Sequence, residues 1–188
     1  RVVVSTYQSV SGGGKGTQAK IIKDKLGIAH ISTGELLRYE IAEKTDVGAV
    51  AEKYIDQGKL VPDEFLFELV RHRLNEPDCT NGYILDGFPR TLQQATGLEI
   101  IMDEFEQFLN NAISLYADED ALVERLVKRG EDSGRSDDTS TIIRNRQKIY
   151  WRKTAPLLEY YGKKRILKDV DGLGTISEIT NRILEITK

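Results

Sequence analysis

The sequence predicts an α/β fold in which a parallel sheet is covered by helices on both faces, and three observations lead there. Five short β-like runs, at 2–4, 28–30, 83–85, 112–116 and 166–167, are separated by longer stretches of helical pattern, the rhythm of repeated βαβ units. Each run is apolar rather than alternating, as strands buried on both faces are. Helix starts are marked: Ser32-x-x-Glu35 and Thr175-x-x-Glu178 have the spacing of capping boxes, and Pro62-Asp63-Glu64 sets a proline and two acids in a first turn.

Taken in order, Val2-Val3-Val4 opens the first strand, and a helix follows near Thr17 to Lys25. Ile28-Ala29-His30 is the second strand, with more helix from Gly34. Tyr83-Ile84-Leu85, Ala112 to Tyr116 and Ile166-Leu167 supply the remaining strands. A chain of 188 residues is expected to be one domain, 1–188, with any specialisation carried by insertions.

Hydrophobic residues make up 39% and charged residues 30% of the chain, the profile of a globular protein. No apolar run nears the roughly 20 residues a membrane span needs, so no membrane partner is expected and a cytoplasmic location is. The single cysteine, Cys79, has no internal partner and reads as a bystander. A net charge of −3 argues against a general nucleic-acid binder. Between 125 and 153, however, nine Lys/Arg face four Asp/Glu, so this stretch calls for an anion.

Gly12-Gly13-Gly14-Lys15-Gly16-Thr17 lies between a β-like start and a helix, where backbone N–H groups and a helix N-terminus can cradle phosphate. It departs from the strict G-x-x-x-x-G-K-[ST] spacing, because Ser9 stands at the first glycine and Gly16 follows the lysine. The segment Ser5–Ser11 is mostly polar where a central strand should be apolar. It is expected to weaken the strand and the loop. If its side chains find no partners, the strand should shorten to about Val2–Val4, with the following residues looped out.

From Lys15 onward the chain resembles the adenylate kinase family. The resemblance rests on Gly14-Lys15-Gly16-Thr17-Gln18, on His30-Ile31-Ser32-Thr33-Gly34-Glu35-Leu36-Leu37-Arg38, and on Gly58-Lys59-Leu60-Val61-Pro62-Asp63. It continues in Leu85-Asp86-Gly87-Phe88-Pro89-Arg90-Thr91 with Gln94-Ala95, and in Lys128-Arg129-Gly130 through Ser133-Gly134-Arg135-x-Asp137-Asp138. It implies a doubly wound, five-stranded parallel sheet of the P-loop NTPase type, with an AMP-binding flap near 32–61 and a short lid near 129–139. The implied activity is reversible Mg²⁺-dependent phosphoryl transfer from ATP to AMP, giving two ADP. The implied partners are ATP, AMP and ADP, and the implied state is a monomer.

The resemblance also implies roles. Lys15 with the Gly12, Gly13, Gly14, Gly16 and Thr17 amides would hold the ATP phosphates, and Arg125 would pack on the ATP adenine. Arg38 and Arg90 would grip the AMP phosphate, while Arg129, Arg135 and Arg146 fold over the transferring group. Thr33, Val61, Gly87 and Gln94 complete the AMP site, with Thr33 and Gln94 reading adenine. Asp86 would act on Mg²⁺ through water. The lid between Arg129 and Arg135 is too short, and lacks the cysteines, for structural zinc. His30 and His72 show no catalytic partner in the sequence and read as structural. Two alternatives stay open: a UMP/CMP kinase, and a nucleotide-binding module impaired by the altered first strand and loop.

Overall fold

The computed structural model describes residues 4–8, 14–116 and 118–188. Its strands are β1 (Val4–Gln8), β2 (Ala29–Ser32), β3 (Tyr83–Asp86), β4 (Asn111–Tyr116) and β5 (Leu167–Asp171). They lie side by side in the order β2-β3-β1-β4-β5, every pairing parallel. The helices are α1 (Lys15–Leu26), α2 (Thr33–Ala42), α3 (Asp46–Ile55), α4 (Asp63–Leu74), α5 (Leu92–Glu104), α6 (Glu119–Ser133), α7 (Ser140–Ile149), α8 (Pro156–Lys163) and α9 (Ile176–Ile186). A 3₁₀ turn spans Pro77–Cys79 and a π-turn spans Tyr150–Thr154.

Burial alternates along β3 from one layer to the other. Tyr83 and Leu85 join Ala29 and Ile31 of β2 under Val70 of α4 and Leu98 and Ile101 of α5. Ile84 instead joins Ile113 and Leu115 of β4 beneath Ala19 and Ile22 of α1 and Ile179 and Ile183 of α9. Both faces are therefore covered, which is why β3 is buried at all four positions and reads as an unbroken apolar run. Leu157 and Tyr161 of α8 close a third cluster over Ala112.

The expected shortening of the first strand does not occur. Ser5, Thr6 and Tyr7 pair in register with Ile84, Leu85 and Asp86 on one side, and Ser5 to Gln8 with Asn111 to Ser114 on the other. Ladder hydrogen bonds are made by the backbone whatever the side chain, and two flanking strands hold this one in register. The bend at Ser9, the rest of the polar segment, and Gly12 and Gly13 lie outside the described residues.

The fifth strand also runs further than the short apolar run implied, through Lys168 and Asp169 to Asp171. As the outer strand beside β4 it tolerates polar residues that a central strand does not. Of the two capping boxes, Thr175 and Glu178 form the full reciprocal pair. Ser32 accepts from the Glu35 N–H, but the Glu35 carboxylate turns outward to Lys20, 3.6 Å away, and does not close the box.

These elements bring several chain segments to one edge of the sheet. β3 ends on Asp86 and β2 on Ser32, partners in register, so the loops after both emerge beside the start of α1. Ligand sites of open α/β sheets form at this edge, outside the carboxyl ends of the strands.

Candidate active site

The start of α1 differs from five capped helix starts, and from the uncapped α4 and α8, which carry acids in their first turns. Ser32, Thr45, Thr91, Thr139 and Thr175 cap α2, α3, α5, α7 and α9 with side-chain oxygens. Helix α1 begins after Gly14, in the left-handed region at φ 77°, with no side-chain cap and no acid in its first turn. Its leading N–H groups and positive dipole end are thus left for an external anion. They open into a cavity of about 560 Å³, whose wall includes Gly14, Lys15, Gly16 and Thr17.

Lys15 stands in this cavity with its ammonium pushed down to about 8, mainly by desolvation and further by Arg90, Arg146 and Arg129, with Asp86 opposing. A cation in that condition gains from an anion that restores its charge. Asp86 is buried. Burial would raise its pKa, but the hydrogen bond from His30 and then the charge of Lys15 outweigh it and hold the carboxylate low. His30 Nε2 lies 3.2 Å from Asp86 Oδ2, a contact with the strand-end acid that the sequence did not reveal. The two meet only because β2 and β3 are adjacent.

After Asp86 the chain turns at Gly87, φ 83°, where a Cβ would come within 3.0 Å of Arg90 Nη2 and 3.1 Å of Thr33 Oγ1. The left-handed conformation requires glycine there, and the space beside it is tight. Arg90 follows, held by its own backbone neighbours: its Nε donates to the Gly87 carbonyl at 2.7 Å. Desolvation first of all lowers its pKa. Among the described residues no carboxylate lies within ion-pair distance of it.

Thr33, Val61, Gly87 and Arg90 line a second recess of about 70 Å³ that shares Arg38 and Arg146 with the first. Gln94 is not in either wall. Its side chain is fully buried, with Oε1 accepting from the Arg90 N–H at 2.7 Å and Nε2 donating to Asp63 Oδ1 at 2.8 Å. Here the glutamine supports the arginine loop, a contact that spacing alone did not reveal.

The basic stretch closes the cavity from the opposite side. Arg125, Arg129, Arg135 and Arg146 all reach its wall, as does Arg38 from α2. Two buried acids hold most of them. Asp138 accepts from Arg129 Nε and Nη2, both at 2.7 Å, and from Arg146 at 3.4 Å. Asp137 accepts from Arg146 at 3.0 Å and from Arg38 at 3.2 Å. Arg146 is still pushed down to about 10, by desolvation and then by Arg90. Desolvation, then Arg38 and Arg129, lower Arg135.

The segment 129–139 meets the segment 32–61 directly. Ser136 Oγ donates to Asp56 Oδ1 at 2.9 Å, and Asn145 of α7 donates to the Gln57 carbonyl at 2.7 Å. Gly58, φ 65°, lies where a Cβ would press on Ile142 of α7 at 2.9 Å. The wall also includes Leu126, Gly172, Gly174, Ile176 and Ile179. The last four come from the end of β5 and the start of α9, far from any glycine-rich motif. The capping box at Thr175 marked a helix start there but not its neighbour.

Residues 9–166 match the family model for adenylate kinase. The chain is 47% identical over 179 residues to an adenylate kinase of Leptospira biflexa serovar Patoc, covering 95% of this chain and 96% of that one. It is 45% identical to an adenylate kinase of Rhodococcus erythropolis over 92% of each chain. A third, from a Cyanothece species, is 43% identical over 93% of this chain and 90% of its own. With a basic cavity over an uncapped helix start at the strand ends and this likeness over nearly its full length, the chain belongs to the adenylate kinase family of nucleoside monophosphate kinases.

Proposed function

We propose that the protein transfers the γ-phosphoryl group of ATP to the phosphate of AMP, giving two ADP, on the doubly wound five-stranded sheet of a P-loop fold. The observation that carries this reading is a cavity edged by Lys15, Arg38, Arg90, Arg125, Arg129, Arg135 and Arg146 that holds a single buried strand-end carboxylate, Asp86. Such a wall suits two polyphosphate anions brought face to face.

In this reading Lys15 and the N–H groups of α1 hold the ATP phosphates. Arg125, Leu126 and Ile176 sandwich the donor base. The small recess takes the AMP side, with Arg38 and Arg90 on its phosphate and Thr33 and Val61 nearer the base. Gln94, buried outside both walls, serves this side by fixing the Arg90 backbone and Asp63. An AMP phosphate oxygen forms a bond to the γ-phosphorus as the bond from that phosphorus to the β–γ bridging oxygen breaks. AMP phosphate is already largely ionised at neutral pH, with a second pKa of about 6, so no general base is needed. The side chains have to align the phosphates and stabilise charge in a loose, in-line transition state, work suited to planar arginine forks.

Among the described residues no three His, Cys, Asp or Glu side chains gather as a metal cage. One carboxylate facing phosphates fits a Mg²⁺ ion that keeps much of its water, held by Asp86 through that water and by the substrate. Bound there, Mg²⁺ would supply charge neutralisation at the transferring phosphates. The segments 32–61 and 129–139 act as a flap and a lid that meet over the nucleotides, so the contacts among Ser136, Asp56, Asn145 and Gln57 belong to the closed form.

The test is a coupled assay of ADP formation from ATP with AMP, CMP or UMP as acceptor. AMP should be turned over fastest. Equal or faster turnover of CMP or UMP would assign the protein to another acceptor, and no ADP from any of them would remove the kinase reading.

A further inference from the structure

Arg90 is fixed at more points than a loop arginine usually is. Its backbone N–H donates to Gln94 and its Nε to the Gly87 carbonyl. Its own carbonyl is taken as well: Thr154 Oγ1 donates to Arg90 O at 2.7 Å, across 64 residues of chain. Thr154 is buried, 5% exposed, so little solvent competes for this bond. We infer that Thr154 is a positioning residue for phosphoryl transfer, setting the height and direction of the Arg90 fork through its carbonyl. This rests on the role proposed for Arg90 in gripping the AMP phosphate.

The local backbone explains how Thr154 gets there. Pro156 has no N–H to offer the Arg152 carbonyl four residues back, and its ring would clash with it in a regular helix. The chain widens instead into the π-turn Tyr150–Thr154, in which the Ala155 N–H reaches the Tyr150 carbonyl at 2.8 Å. In an α-helix each residue turns the side chain by about 100°, so one extra residue in a turn redirects the side chains after it. Such π-turns recur at functional sites. This one ends α7, which carries Arg146, and points Thr154 at the loop that carries Arg90. A single hydrogen bond thus ties together the elements bearing two arginines of the cavity.

The experiment compares Thr154→Val, Thr154→Ser, Arg90→Ala and the Arg90→Ala/Thr154→Val double variant in the ATP-plus-AMP assay. It also compares AMP with adenosine affinity by calorimetry. Thr154→Val keeps the shape and removes the donor. It should lower kcat about tenfold, equivalent to about 1.4 kcal/mol, leave KM for ATP within about twofold, and weaken AMP more than adenosine. Thr154→Ser should recover kcat to within about twofold of the unmodified protein. In the Arg90→Ala background, Thr154→Val should cost little more, because the group it aims is gone. If Thr154→Val does not fold, Thr154→Ala takes its place with the same expectations.

A full Arg90→Ala loss with Thr154→Val near the unmodified rate overturns this inference alone. So does a serine variant no better than the valine one, or a parallel rise in KM for ATP. An unmodified protein that transfers no phosphate, or an Arg90→Ala variant within tenfold of it, overturns the role of Arg90 and this inference with it.

Discussion

The two sides of the cavity carry positive charge in different ways. On the sheet side, Lys15 and Arg90 are desolvated cations on short, fixed connections, and among the described residues neither has a carboxylate within ion-pair distance. On the lid side, Arg129 and Arg146 are tied to Asp138, and Arg38 and Arg146 to Asp137. The difference teaches that Lys15 and Arg90 keep desolvated charge without an ion-pair partner, at a cost to the free protein. Arg129 and Arg146 are instead neutralised by the buried carboxylates of Asp137 and Asp138. A pre-oriented charge stabilises a transition state most when nothing else has compensated it.

Three experiments can break or sharpen this contrast. The largest effect is expected at Arg90: Arg90→Ala should lower turnover by on the order of 10³-fold, about 4 kcal/mol of transition-state stabilisation. Kinetics with saturating ATP and AMP checks this, and a loss below tenfold would place Arg90 outside the chemistry.

The next effect is on stability, from the lid side. Asp138 has a side chain with 0% exposure and accepts from two arginines. Asp138→Asn should remove the charge that compensates them, at a cost of about 3–5 kcal/mol or roughly 10 °C in Tm. Calorimetry or circular dichroism reads the shift, and inorganic pyrophosphate should restore part of it. A variant as stable as the unmodified protein would mean the lid arginines are solvated, and the contrast would fail.

The smallest effect has the opposite sign. The ordinary lysine value of 10.5 is depressed to about 8 for Lys15 in the folded protein. Between those values the unfolded chain holds more of this proton than the folded one, so the group disfavours folding below about pH 8. That penalty is relieved as pH rises toward 10.5. Lys15→Met should therefore raise Tm by roughly 3 °C at pH 7 while abolishing turnover, and its advantage should shrink from pH 8 to pH 10. A variant less stable than the unmodified protein at pH 7 would show that Lys15 is compensated after all.

Much of this site was legible along the chain because each motif is short and local. The glycine run before a helix and the acid ending an apolar strand stand out by residue type, and the family resemblance gave them and the arginine after Phe88-Pro89 their expected roles. What was not legible depends on neighbours distant in sequence. His30 meets Asp86 only because β2 pairs with β3. Gln94 is occupied by Arg90 and Asp63, and the donor end of the cavity borrows Gly172, Gly174 and Ile176 from the far end of the chain.

The polar first strand marks the boundary most sharply. Side-chain character left it open whether Ser5 to Gln8 would stay in the sheet, but a strand held by backbone bonds between two partners follows the register of those partners. The sequence by itself determined the strand and helix order, the glycine and arginine motifs, and the family they resemble, because those signals reside in residue type and spacing. Only the tertiary structure decided which arginines Asp137 and Asp138 neutralise and which cations remain open to phosphate. That division depends on distances of about 3 Å between residues brought together from separate elements, and spacing along a chain does not encode them.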